Sequence, residues 1–171
     1  MKRIIFISGK LPINGLVEDL APTLVAEGYK VTVLTSDKNY RKPILGSVMN
    51  EITKITIPAI KPRSKNIIWR CVNLLIFNAL ALCVTIIRSR KEISFYCSQP
   101  PLVVIVAYLA KILAGRKYIC LVNDLYPHIL AKHFVITEQG IIYKLLLKLT
   151  LKSLNSSEKV FVIGRCMYDA L

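Results

Sequence analysis

Apolar residues fall in six short runs, separated by stretches whose apolar positions recur at helical spacing. Residues 3–8 are almost continuously apolar and stop at Gly9, the pattern of a strand buried on both faces of a parallel sheet. Residues 16–27 repeat apolar positions every three or four residues and end at Gly28, where a helix C-cap is wanted. Residues 30–35 are branched and alternating, so strand, helix and strand make a right-handed βαβ unit. Further strands are predicted at 51–57, more weakly, and at 93–97, 118–122 and 160–163. Helices are predicted at 101–114 with Gly115 as cap, from about 127, and at 138–154, with Asn155, Ser156 and Ser157 turning into the last strand. Pro101 suits a first helical position, where its missing N–H leaves no bond unmade.

Residues 66–87 admit more than one reading. Between Cys71 and Ile87 only Asn73, Asn78 and Thr85 interrupt the apolar residues, and a spanning helix needs about 20 predominantly apolar residues. Their place between two strands favours a helix packed on the sheet. A helix lying in the bilayer interface and a true span are the alternatives.

Strand and helix in alternation give the fold class α/β, with a Rossmann-like, doubly wound parallel sheet. Such sheets bind ligands beyond the carboxyl ends of their strands, so the loops that follow strands are where chemistry is sought.

The chain of 171 residues is one domain's worth, and its 54% hydrophobic and 20% charged residues exclude a disordered polar chain. Lys and Arg number 24 against 10 Asp and Glu, a net charge of +14, which attracts anions. No basic run is interleaved with stacking aromatics, so nucleic acid is not expected as a partner. The cations flank apolar helices instead: Lys61, Arg63, Lys65 and Arg70 before 71–87, Arg88, Arg90 and Lys91 after it, and Lys144, Lys148 and Lys152 along 138–154. That arrangement suits an anionic membrane surface as well as a solvated helix face.

Cys71, Cys83, Cys97, Cys120 and Cys166 lie in mostly apolar surroundings without a C-x-x-C pair, and are expected to be reduced core thiols. The apolar run after Met1, Lys2 and Arg3 breaks at Ser8 and Gly9 with no cleavage site. It is therefore not read as a leader, and the expected location is the cytoplasm.

Three loops carry candidate residues. After the first strand, Asn14 and Gly15 precede a helix whose N-terminus favours an anion, although G-x-G-x-x-G and Walker patterns are absent. After the fourth, Ser98 and Gln99 are stiffened by Pro100 and Pro101, and either can instead serve as a helix cap. After the fifth stand Asn123, Asp124, Tyr126, Pro127 and His128, where Asp124 can orient a sugar hydroxyl or accept its proton, or cap the next helix. His128 and His133 are the two histidines and have no metal-ligand company. No metal is expected.

Gly15, the segment from Gly28 to Thr35, Ser98 to Pro101, Asn123 to Pro127, and Val160 to Gly164 with Met167 occur in this order. The set resembles the N-terminal half of a family-4 glycosyltransferase, of the bacterial kind that builds capsule, O-antigen or exopolysaccharide. The chain departs from that pattern at Asn14, where many members have Gly, and at Asn123, where many have His. The resemblance implies one half of a two-domain GT-B architecture, with residues 1–171 as the acceptor-binding N-terminal domain. It implies that a lipid-linked sugar acceptor at the inner face of the cell membrane is held by this half. The nucleotide sugar would be held by a C-terminal half, on a glutamate pair, that is missing from this sequence. The expected site is Asp124 as catalytic residue, with Asn14, Gly15, Ser98, Gln99, Asn123, Tyr126 and His128 binding substrate, and no cofactor. Alone the chain is expected to transfer nothing, being either a truncated product or one subunit of a split enzyme. A non-catalytic membrane-surface module that recruits a partner chain is the alternative.

Overall fold

The computed structural model describes residues 2–9, 16–36, 52–58, 60, 67–124, 126–132, 136–165 and 167. Its strands are β1 (Arg3–Ile7), β2 (Lys30–Thr35), β3 (Thr53–Thr56), β4 (Glu92–Cys97), β5 (Tyr118–Val122) and β6 (Lys159–Val162). Its helices are α1 (Leu16–Ala26), α2 (Ile67–Ile87), α3 (Val103–Ala114), α4 (His128–Lys132) and α5 (Ile141–Asn155). The strands form one six-stranded sheet in the order β3-β2-β1-β4-β5-β6, and every neighbouring pair is parallel. Continuous Val, Ile and Phe runs produce this sheet because its central strands are covered on both faces.

One apolar core lies between the sheet and α1, built on Ile4, Phe6, Val17, Ala21, Val31, Val33 and Phe95. The other lies under α2, α3 and α5 and includes Ile5, Ile7, Phe77, Ala81, Tyr96, Val103, Cys120 and Leu154. Side chains alternate between these cores along each strand, the period-2 rule of a pleated strand. The expected doubly wound α/β class is therefore present, and the order reverses between β1 and β4.

Two glycines are placed where backbone geometry requires them. Gly28 ends α1 at φ 79° and Gly115 ends α3 at φ 64°, left-handed conformations that a side chain makes costly. At the opposite edge from the β-strand carboxyl ends, Arg88 grips Glu92 through two bonds of 2.6 and 2.9 Å and donates to Thr32 at 2.9 Å. Arg116 is 1% exposed and donates to the carbonyls of Arg88, Ser89 and Glu92. Burial is the main cause that lowers its pKa, with Glu92 acting against it.

The structure differs from expectation in three places. α3 begins at Val103, so Pro101 belongs to the preceding turn and Leu102 becomes the N-cap residue. Cys71 and Cys83 are exposed on α2, while Cys97 and Cys120 are buried as expected; Cys166 lies outside the described residues. α2 is docked along one side only, which leaves Ile68, Leu75 and Ile87 exposed at 64%, 62% and 83%. Packing on the sheet explains its inner face alone. Among the described residues it is the one helix long and apolar enough to cross a membrane.

Candidate functional site

The loops after β1, β4 and β5 meet at the carboxyl edge of the sheet, beside the point where the strand order reverses. The Gly9 amide donates to the Gln99 carbonyl at 2.9 Å, and the Ser36 hydroxyl donates to the Gly9 carbonyl. A Cβ on Gly9 would stand 2.7 Å from Pro100 Cδ, so only a residue without a side chain lets these two loops touch.

Ser98 follows directly on β4 and is 3% exposed. Its Oγ accepts the amides of Asn123 at 2.9 Å and Asp124 at 3.1 Å, while its own amide donates to Leu121 O at 2.9 Å. Gln99 Nε2 donates to Asp124 Oδ2 at 2.7 Å. Neither residue caps α3. Nor does Asp124 stand at the start of α4, which begins four residues later at His128. The polar side chains that sequence allowed as helix caps are spent instead on joining the β4 and β5 loops.

Ser98, Asp124 and Tyr126 border a small cavity of about 20 Å³ whose other walls are Leu102, Ile105, Val122, Leu146 and Thr150 among others. That is room for about one water molecule. Tyr126 has a raised pKa, first through burial and then through the Asp124 charge, so it presents a protonated phenol at neutral pH. Cys97, immediately before Ser98, is pushed up to about 12 by burial and secondarily by Cys120. It is a thiol and no nucleophile at neutral pH.

Sequence reasoning missed Leu102, which adopts φ 71° without being glycine. A bulky side chain there costs about 1–3 kcal/mol and persists only where its surroundings impose it. One restraint is Asn78 Nδ2, which donates to the Pro101 carbonyl at 3.1 Å and ties the loop to α2. The tandem proline after Gln99 was the available signal of an unusual turn. It gave no hint of the αL residue.

Of the predicted site residues, Ser98, Gln99, Asn123, Asp124 and Tyr126 come together, Asn123 through its backbone amide. His128 is not among the cavity walls; its ring meets Tyr143 edge-on at 5.7 Å, and its Nδ1 is buried without a hydrogen-bond partner among the described residues. Asn14, Gly15 and His133 lie outside the described residues. Among the described residues no group of three or more His, Cys, Asp or Glu gathers to hold a metal.

No protein-family model matches the chain, and no curated relative matches it either. Among solved structures, UGT89C1 of Arabidopsis thaliana complexed with UDP overlays at TM-score 0.55 and 12% identity, across 99% of this chain and 46% of that one. The doubly wound α/β fold of this chain is thus shared with about half of that structure. Apo UGT2 of Phytolacca americana overlays at TM-score 0.49 and 12% identity, across 95% of this chain and 46% of that one; that superposition is too loose to bear on the fold. The chain spans less than half the length of either plant protein.

Proposed function

We propose that this chain is the acceptor-side half of a sugar transferase, of the bacterial family-4 type that extends capsule, O-antigen or exopolysaccharide on a lipid-linked acceptor. The observation that carries the reading is the Ser98–Gln99–Asp124 junction, set at the carboxyl edge of a half-GT-B sheet. Gln99 engages Oδ2 of Asp124, which leaves Oδ1 to orient an acceptor hydroxyl and take its proton as that oxygen bonds to the anomeric carbon of the donor sugar, while the bond from that carbon to the phosphate oxygen breaks and the nucleotide leaves. The neutral Tyr126 phenol donates a hydrogen bond to the acceptor. A hexose does not fit a cavity of about 20 Å³, so the acceptor lies across the sheet edge. The UDP bound to the Arabidopsis protein supports a nucleotide sugar as donor, held by a second half, C-terminal or on a partner subunit. This half works at the inner face of the cell membrane.

The test is transfer from nucleotide sugars to lipid-linked acceptors, by the chain alone and when joined to a donor-binding half. Binding an acceptor without donor contacts does not lower the chemical barrier. The chain alone is therefore expected to be silent and the joined protein to turn over. Turnover by the isolated chain, or silence in every joined form that binds a nucleotide sugar, overturns the reading.

The exposed apolar side of α2 favours a second reading, a non-catalytic membrane-surface module that recruits a partner chain. Acceptor binding without any transfer in the joined protein would favour it.

A further inference from the structure

α2 has two faces of different character. Its inner face holds Phe77, Asn78, Ala81 and Thr85, all buried. Thr85 Oγ1 lies 2.9 Å from the Tyr96 hydroxyl, and Asn78 reaches Pro101. The outer stripe, one residue every three or four positions, is Ile68, Cys71, Leu75, Ala79, Cys83 and Ile87, and every one of these is exposed. A surface helix in water places polar residues there. Between Arg70 and Arg88 this helix has no charged residue at all.

The layer beside it continues the pattern. α3 packs between α2 and α5 and exposes Ile112 and Leu113 at 60% and 64%. α5 exposes Ile141 and Leu145 at 85% and 54%, along with Lys144, Lys148 and Lys152. None of the three helices contains an Asp or Glu. Exposed Arg70 stands at one end of the α2 stripe, and exposed Arg90 and Lys91 follow the other.

We infer that the α2–α3–α5 layer rests on an anionic bilayer, with α2 lying in the plane of the headgroup boundary rather than crossing it. An apolar stripe bracketed by cations is the chemistry of an interfacial helix, which sinks about 5–10 Å into the headgroup and acyl boundary. A second copy of the chain is disfavoured, because two such layers face to face would set like charges against each other. A span is disfavoured by the inner-face bonds, since crossing would strip Phe77 and Ala81 from the core and break the Asn78 and Thr85 contacts. The inference deepens the membrane part of the proposed function and does not depend on sugar transfer. It also sets the candidate site beside the lipid surface, because Asn78 binds the very loop that carries Gln99.

The test uses the two exposed thiols. Cys71 and Cys83 are twelve residues apart on one stripe, about 18 Å along the helix axis. Each is labelled in turn with an environment-sensitive fluorophore, the other cysteines being serine or alanine, and lipid-borne quenchers at two depths report its position in vesicles of phosphatidylcholine with or without 30% phosphatidylglycerol. The expected result is binding to the acidic vesicles that weakens at least about tenfold between 0.1 and 0.5 M salt, as screening predicts. Both labels are then shallow and within a few ångström of the same depth. A depth difference above about 10 Å means a span and overturns the inference, as does a label that stays in water while the protein binds. Equal binding to neutral vesicles overturns the role of the cations. Absence of binding to either vesicle leaves a protein partner as the occupant and also overturns it. The unlabelled Leu75→Glu variant, folded by circular dichroism, should bind acidic vesicles at least about tenfold more weakly.

Discussion

Gln99 Nε2 and Asp124 Oδ2 are 2.7 Å apart, which fastens the loop after β4 to the loop after β5 at the edge where a doubly wound sheet receives its ligand. With Ser98 holding the backbone amides of Asn123 and Asp124, the carboxylate has little freedom to turn. A group that must meet a hydroxyl in one orientation gains from being held before the substrate arrives.

Ser98 carries the structural half of that arrangement. Ser98→Ala removes, from a side chain 3% exposed, the acceptor of the half-buried Asn123 and Asp124 amides, and a donor left unpaired in a buried place costs about 1–3 kcal/mol. Urea unfolding should show a loss of at least about 1 kcal/mol. A loss near zero would mean that water replaces the hydroxyl.

Gly9→Ala tests the contact between the β1 and β4 loops. The new methyl would lie 2.7 Å from a proline ring atom, and neither partner has a free side-chain rotation with which to yield. The variant should lose about 1–3 kcal/mol of stability, the usual range for forced overpacking. A melting temperature within 1 °C of the parent would show that the loops separate easily.

Much of this geometry could be read from the chain. The apolar runs marked all six strands, Gly28 and Gly115 marked two helix ends, and the polar residues after strands four and five marked the edge where those two loops meet. Periodicity reports which residues alternate or recur, so it finds elements well. It does not report which loop touches which. The Gln99–Asp124 bond joins residues 25 positions apart, and nothing local distinguishes that partner from a helix cap. The same limit explains Cys71 and Cys83: an apolar helix predicts burial, and the stripe left over after docking depends on how many neighbours the fold supplies.

Alkaline pH should weaken the fold, and the sign follows from the buried acids. Cys97 and Cys120 rise from 9.0 to about 12 through burial, and burial raises Tyr96 and Tyr118 above their ordinary 10.0. The folded chain therefore keeps protons that the unfolded chain releases, so stability is full below about pH 9 and declines toward about pH 12. Urea midpoints measured across that range should fall steadily. In the Cys97→Ala, Cys120→Ala double variant the decline should begin about one pH unit later, where the tyrosines start to ionise in the unfolded chain. A midpoint constant to pH 11 would contradict the burial of these groups.

Asp124 is the residue that separates a reactive edge from a merely well-tied one. Asp124→Asn keeps an oxygen to accept the Gln99 amide, so the loop junction survives and stability should change by less than about 0.5 kcal/mol. What it removes is the charge and the basic oxygen that an acceptor hydroxyl needs. On the proposed function, in a protein joined to a donor-binding half, turnover should fall at least about tenfold, equivalent to roughly 1.4 kcal/mol of lost transition-state stabilisation. Asp124→Ala should lose the same activity and additionally about 1 kcal/mol of stability, because Gln99 then has no partner. Gln99→Ala keeps the carboxylate but frees it to rotate, so its loss should be smaller than that of Asp124→Asn. If Asp124→Asn retains full activity, the carboxylate serves only to fasten the two loops, and the base for the acceptor hydroxyl must be sought elsewhere.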